Sequence, residues 1–480
     1  LSDRSWVLFG ALILGLKALL LVLDPVPKFF FGDSSCYMHT AVDGWIPPDR
    51  SFAYGFVIRA VALPAGSLLP LVVLQVVASG ACAILLAWML VQSFQVPPWA
   101  SCGLGLLCAV EPIQLLYERY VMAETLSLFL FVLQLAASLR YMETRSLVTL
   151  ALIQLAGVGI ISLRSSYLPW VLAASVLPPI LGHLNPGGFP ASTAPASPGP
   201  RRWRALALAG HLAVSLTVTW VLHAGYKQLF GALSGHPPGY HAAGGYFLLA
   251  AWAPVVAPED FPDPRTRDRV FRRLAYDLQD RRTREDHLFS RGGLSNAVQA
   301  SLPWSAGDRF AWTVALNAVR RDPLGVLRLS CMTCLDYFDR ELLAARISND
   351  LAMDQPGQYE EFYGVFREFF RLPGEGVQPM TTTKRWYGSM VPWYWAILLS
   401  PLLAAAGALR RWGDRRSSAL LLLGAVGLSL AAVCGLGVTQ VVRYLHPLAW
   451  LTVCCTGLLW RAAPPAPPLV TPSRPSRGSL

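Results

Sequence analysis

Ten apolar runs divide this 480-residue chain, at roughly 5–23, 67–94, 98–116, 121–139, 147–163, 166–183, 205–229, 389–409, 417–437 and 445–461. About 20 residues of helix cross a bilayer's hydrocarbon core, and that core tolerates no unpaired backbone polar groups. Runs of this kind predict an all-α integral membrane protein with about ten transmembrane helices. The sixth and tenth runs are short, and the third ends on Glu111. The first leads into Asp24-Pro25 rather than a small-residue cleavage site, so it is expected to remain as an anchor.

The chain is 54% hydrophobic and only 14% charged, which excludes a disordered tail protein. Its formal net charge is +11, yet no basic domain stands apart from the apolar bulk, so no nucleic-acid partner is expected. Positive charge on an apolar chain instead marks cytoplasmic loops. With ten spans and a cytoplasmic N-terminus, the inside segments collect thirteen arginines against Asp3, Glu143 and Asp414. The expected location is a membrane, by inference the bacterial inner membrane, with both termini cytoplasmic and membrane lipids around the spans.

Four segments follow. Residues 1–230 form an N-terminal membrane module with two external loops, 24–66 and 111–121, and a Pro/Gly/Ser-rich linker at 184–204. Residues 231–388 form a mostly helical extracytoplasmic layer, in which 231–385 balances 19 acidic against 19 basic residues. Residues 389–461 return to the membrane, and 462–480 are a Pro-rich tail expected to be disordered. Nine cysteines follow no disulfide or zinc spacing, and the Cys331–Cys334 CxxC lacks the βαβ setting of a redox motif.

Ionisable residues beside apolar runs are functional candidates because burying them is costly. Asp33 follows three Phe and a Gly, a setting that raises a carboxylate's pKa and suits a general base. The same GDSS stretch also reads as an N-cap for a short helix through Tyr37, and spacing alone favours the cap. Glu111, Glu118 and Glu124 are spaced to share one flank if their segment is helical. They suit either chemistry or a structural pairing, for instance of Glu118 with Arg119 or Arg59. Arg164 and Arg443 stand at external span ends, where each clamps an anion or snorkels to headgroups. Tyr444 and His446 either add donors there or join an aromatic belt. A transporter would place polar groups at mid-bilayer on broken helices in repeated halves; no such repeat is seen, and mid-span charges are nearly absent apart from Lys17.

The order GDSSCY, DRSFAYGFVIRAV, YERYVMAETLSLFL, LRSSYLP and VVRYLHPL resembles the landmarks of GT-C-fold membrane glycosyltransferases. It is most similar to the bacterial protein-O-mannosyltransferase and lipid A aminoarabinose-transferase superfamily. The resemblance covers residue 5 to about 240 and about 389 to 461. It implies transfer of a sugar from a polyprenyl-phosphate donor to a lipid, glycan or protein acceptor at the extracytoplasmic face, usually with inversion. By this resemblance Asp33 is the catalytic base, and Glu118, or alternatively Glu124, is the second-loop acid. Arg443 and Tyr444, with Arg164, would meet the donor phosphate, and Tyr37, Arg50 and Arg119 would line the substrate site. Asp33 is followed by Ser34 rather than a second acid, and no DxD is present, so no metal or other cofactor is expected. A lipid or polysaccharide transporter and a non-catalytic envelope-assembly subunit remain the alternatives.

Overall fold

In the computed structural model the described residues are 2–30, 32–184, 201–352, 364–372, 380–413 and 415–460. The expected tail and most of the expected linker lie outside them. Among the described residues there is no strand, only one isolated parallel bridge between Lys28 and Tyr120.

The N-terminal half runs through α1 (Asp3–Leu23), α2 (Asp33–Asp43), α3 (Ala53–Val61), α4 (Leu69–Gln92), α5 (Pro98–Ala109) and α6 (Pro112–Tyr117). It continues in α7 (Glu124–Thr144), α8 (Leu147–Leu163), α9 (Leu168–Ala174), α10 (Leu177–Leu184) and α11 (Arg201–Ser234). Helices at Val391–Leu398, Ser400–Arg410, Arg416–Leu436 and His446–Leu458 complete the bundle.

Much apolar surface on this bundle faces outward: Val7 is 72% exposed, Val22 75% and Trp220 72%. A water-soluble fold would bury such a girdle, whereas lipid is its natural solvent. Among the described residues six segments are long and apolar enough to cross a membrane: α1, α4, α7, Ser165–Leu184, Arg202–Ser234 and Arg416–Leu436. Val391–Leu398 with Ser400–Arg410 makes a seventh if that pair, bent by 48°, counts as one span. The break falls just before Pro401, whose ring cannot continue the preceding turn.

Among the described residues six segments, or up to seven, thus have the length and composition of a single-helix span, against the ten expected. Three expected runs form shorter helices. In the third, Glu111-Pro112 stops α5 at 12 residues, about 18 Å against a core of about 30 Å. Its remainder starts afresh as α6, with the Glu111 carboxylate accepting from Gln114 N at 2.6 Å. α8 has 17 residues and His446–Leu458 has 13.

Helix ends sort to two sides. On one lie Arg140, Arg145 and Arg411; Arg145 donates to Gly182 O at 3.1 Å and Arg411 to Leu458 O at 3.2 Å. On the other, α1 ends, α7 begins and α8 ends. Residues 242–352 form short helices around their own core, including Tyr246, Leu249, Val298, Ala311 and Val314. They join this second side: Ala242 N donates to Pro48 O at 2.6 Å, and the Arg284 guanidinium donates to Gly437 O at 3.1 Å.

Candidate functional site

The loop carrying Asp33 is held from both ends. Lys28 N donates to Arg119 O and Val121 N to Lys28 O, both at 2.8 Å, so residues 28 and 119–121 run alongside each other. Below them five buried charges interlock. Lys17 Nζ lies 2.7 Å from Glu118, whose other oxygen takes Arg119, while Lys28 grips both Asp24 oxygens at 2.8 Å. The Arg119 guanidinium also donates to Leu20 O, Asp24 O and Leu115 O. Lys17 is thus the partner of an acid that the sequence offered as catalytic. The structure places Glu118 and Arg119, each 0% exposed, in this clamp and not beside Asp33.

The chain then turns at Gly32, whose φ of 76° suits a residue without Cβ, and α2 starts at Asp33. No side chain caps this helix. Ser34 Oγ instead accepts from Phe30 N at 2.8 Å and donates to Val121 O at 3.0 Å. The cap reading of Asp33 is therefore set aside, and its carboxylate is left to two cations. Arg50 takes one oxygen and Arg443 Nη1 the other, at 2.5 Å. Arg50 also holds Asp49 at 2.6 Å. Its loop is tied down by Ser51 Oγ, which donates to Leu163 O at 2.5 Å.

Arg443 arrives from the tight turn Val442–Leu445, with its guanidinium 4.3 Å from the Phe30 ring centre and 5.3 Å from that of Tyr444. Arg164 also lies over the Tyr444 ring, its guanidinium 5.1 Å from the ring centre, and pairs with Glu124. Two guanidinium groups therefore approach the Tyr444 ring. Tyr37 is buried below α2 in edge contact with Tyr54, ring centres 5.0 Å apart. Asp33, Arg50, Arg443, Arg164, Tyr444, Glu124 and Tyr37 are thus brought into one neighbourhood. Three arginines there face Asp33, Asp49 and Glu124.

Burial works to raise the Asp33 pKa, but the attraction of Arg443 and then Arg50 outweighs it. The carboxyl is held below its ordinary value and is ionised at neutral pH. The shared-flank expectation for the three glutamates is not met. Glu111 caps α6 and accepts from Trp393 Nε1 at 2.7 Å, Glu118 is in the clamp, and Glu124 opens the separate helix α7.

Sequence reasoning missed Asp350, on the helix Arg340–Ala352. It is 3% exposed, ion-paired with Arg346 at 3.4 Å, and faces Arg443. Its stretch, ISNDLAMD, carries no motif, because only tertiary packing brings it to the site. All nine cysteines are free. Among the described residues no group of three His, Cys, Asp or Glu could hold a metal ion. A scan with protein-family models, a search of curated proteins and a search of solved structures each found no match.

Proposed function

We propose that the chain is an integral-membrane glycosyltransferase of GT-C type that moves a sugar from a polyprenyl-phosphate donor to a lipid, glycan or protein acceptor. The observation that carries this reading is the Asp33 carboxylate, shared between Arg50 and Arg443 at one end of an apolar bundle. A polyprenyl phosphate cannot leave the bilayer, so its enzyme must hold the phosphate where spans meet water. The guanidinium groups of Arg164 and Arg443, both close to the Tyr444 ring, supply cations of the right kind at that level.

The chemistry follows from that arrangement. The acceptor hydroxyl oxygen attacks the anomeric carbon, the bond from that carbon to the phosphate oxygen breaks, and the lipid phosphate leaves with the electron pair. Arg443 and Arg164 offset the charge that develops on the leaving oxygen. Asp33 takes the acceptor's proton. Clamped by two arginines it is a weak base, but a phosphate that draws Arg443 away restores its basicity. Donor binding therefore switches on the base. Opposite charge at short range sets the size of that switch.

The side bearing the site is assigned to the extracytoplasmic face. The other side gathers Arg140, Arg145, Arg410, Arg411 and Arg416, as cytoplasmic ends do. In this reading both termini are cytoplasmic and the membrane is a bacterial inner membrane. No step calls on a metal.

The test uses purified full-length protein in nanodiscs with undecaprenyl-phospho-sugars and a cell-envelope extract. Mass spectrometry is expected to find free undecaprenyl phosphate released in step with a hexose- or pentose-sized mass gain on an acceptor. Movement of the donor across liposomes without any covalent product would overturn the assignment in favour of a transporter.

A further inference from the structure

The helix Pro323–Asp336 turns its apolar side outward. Leu324 is 74% exposed, Leu327 59% and Leu335 66%, and Cys331 is exposed beside them. Successive residues of a helix are about 100° apart, so these four fall within an arc of about 80° and form one stripe. The inward side is more polar: Leu329 shares it with Thr333 and Asp336, all three buried, and Asp336 pairs with Arg281. Burying a leucine side chain gains about 1.5–3 kcal/mol. A helix surrounded by water would turn this stripe to its core and leave Thr333 and Asp336 outside.

Its contacts fix the level at which the stripe lies. Midway along the helix, Ser330 Oγ lies 3.4 Å from where a Cβ on Gly435 would stand. Gly435 belongs to the last turn of the span Arg416–Leu436. Thr333 Oγ1 accepts from the Arg284 guanidinium at 2.9 Å, and Arg284 also reaches Gly437 O. Tyr337, just past the helix end, donates to Val441 O at 3.2 Å and accepts from Val441 N at 3.0 Å. The helix is thus docked against the end of a span. Two tryptophans mark the same level: Trp252 Nε1 donates to Gly435 O at 2.8 Å and Trp395 Nε1 to Tyr337 O at 3.1 Å. Tryptophan concentrates where hydrocarbon meets headgroups. Leu436, in that last turn, is itself 41% exposed, so the outward apolar surface of the bundle extends to this level.

We infer that Pro323–Asp336 is an interfacial helix, with Leu324, Leu327 and Leu335 seated among the acyl chains of the leaflet on the Asp33 side. Amphipathic helices of this kind lie in the interface plane with their apolar face about 5–10 Å deep. Arg328, exposed next to the stripe, meets lipid phosphates there. A lipid surface fits the stripe where a protein partner does not: it is four residues, against roughly 20–30 a side in a stable protein interface. The inference rests on the membrane placement of the bundle and is independent of the proposed sugar transfer. It ties the 242–352 layer to the bilayer directly. Because Tyr337 holds Val441, the same anchor steadies the turn that carries Arg443.

Fluorescence quenching of the full-length protein in nanodiscs tests this. A small thiol-reactive dye is attached in detergent to Cys331, the exposed one of the nine cysteines, before reconstitution. Cys331→Ser protein carried through the same labelling supplies the background. Phosphatidylcholine with a doxyl group high on its acyl chain quenches from the lipid, and iodide quenches from water. Leu19→Cys on α1, at a position 56% exposed, is the lipid reference, and the dye's glutathione adduct in buffer is the water reference. Leu327→Cys gives a second site on the stripe; both cysteine variants are made in the Cys331→Ser background. At both stripe positions, doxyl lipid is expected to quench at least half as strongly as at Leu19→Cys. Iodide is expected to quench less than half as strongly as it does the adduct. Any other pattern overturns the inference. Iodide quenching without doxyl quenching would put the stripe in water, and quenching by neither would put it under a second copy or another protein. If doxyl lipid leaves Leu19→Cys itself unquenched, the membrane placement falls as well.

Discussion

Lys17 is the residue whose sequence reading and structural place differ most. In sequence it is the lone charge within the first apolar run; in the fold it is 0% exposed and locked to Glu118 at 2.7 Å. A buried pair of this kind contributes little net stability against an apolar replacement of both partners, but removing Lys17 leaves one Glu118 oxygen buried without its cation, since Arg119 holds only the other. Lys17→Met should therefore cost about 3–5 kcal/mol. The double variant Lys17→Met with Glu118→Gln should recover most of that loss. Thermal unfolding in detergent checks this, and a single variant as stable as the parent would show that Glu118 is not held in this pair. The acids could not be sorted from sequence because Glu118 and Glu124 both follow apolar runs. Only the fold tells which arginine each one meets: Arg119 for the first and Arg164 for the second.

At the scale of elements, α2 and α3 carry the two sides of the Asp33 pair, since Asp33 starts α2 and Arg50 lies just before α3. Their spacing is set by Gly55. A Cβ there would fall 2.3 Å from Thr40 Cβ and 2.8 Å from Tyr37 O, far inside contact distance. Gly55→Ala forces the two helices apart at about 1–3 kcal/mol, the usual cost of overpacking. It should lower both the thermal midpoint and transfer, and an unchanged midpoint would contradict the close packing. Helix identity was legible in sequence wherever a run was long and uninterrupted, as in α1, α4, α7 and Arg416–Leu436. It was misjudged where hydropathy continued across a backbone break. Glu111-Pro112 ends α5 although Ile113, Leu115 and Leu116 keep the stretch apolar, and Pro401 bends a run that reads as one span. Hydropathy averages side chains, whereas proline acts through the backbone, so not every apolar run is one unbroken helix of span length.

For the molecule as a whole, the net charge of +11 is a statement about sides rather than about partners. Arginines gather at the end of the bundle away from Asp33, while around Asp33 each cation faces an acid. The sequence made Asp33, Arg443 and Arg164 visible because they stand alone beside apolar runs. It left Asp350 invisible, because only tertiary packing brings it close to Arg443. The proposed transfer reaction passes through Asp33 as the proton acceptor, and that is where the account is most exposed. Turnover of an undecaprenyl-phospho-sugar by purified Asp33→Asn, beside the parent protein and with donor binding measured in the same nanodiscs, tests it directly. The expected result is a loss of about 10²–10⁴-fold in turnover, the usual contribution of a positioned general base, with donor still bound. Parental turnover by Asp33→Asn would contradict the account.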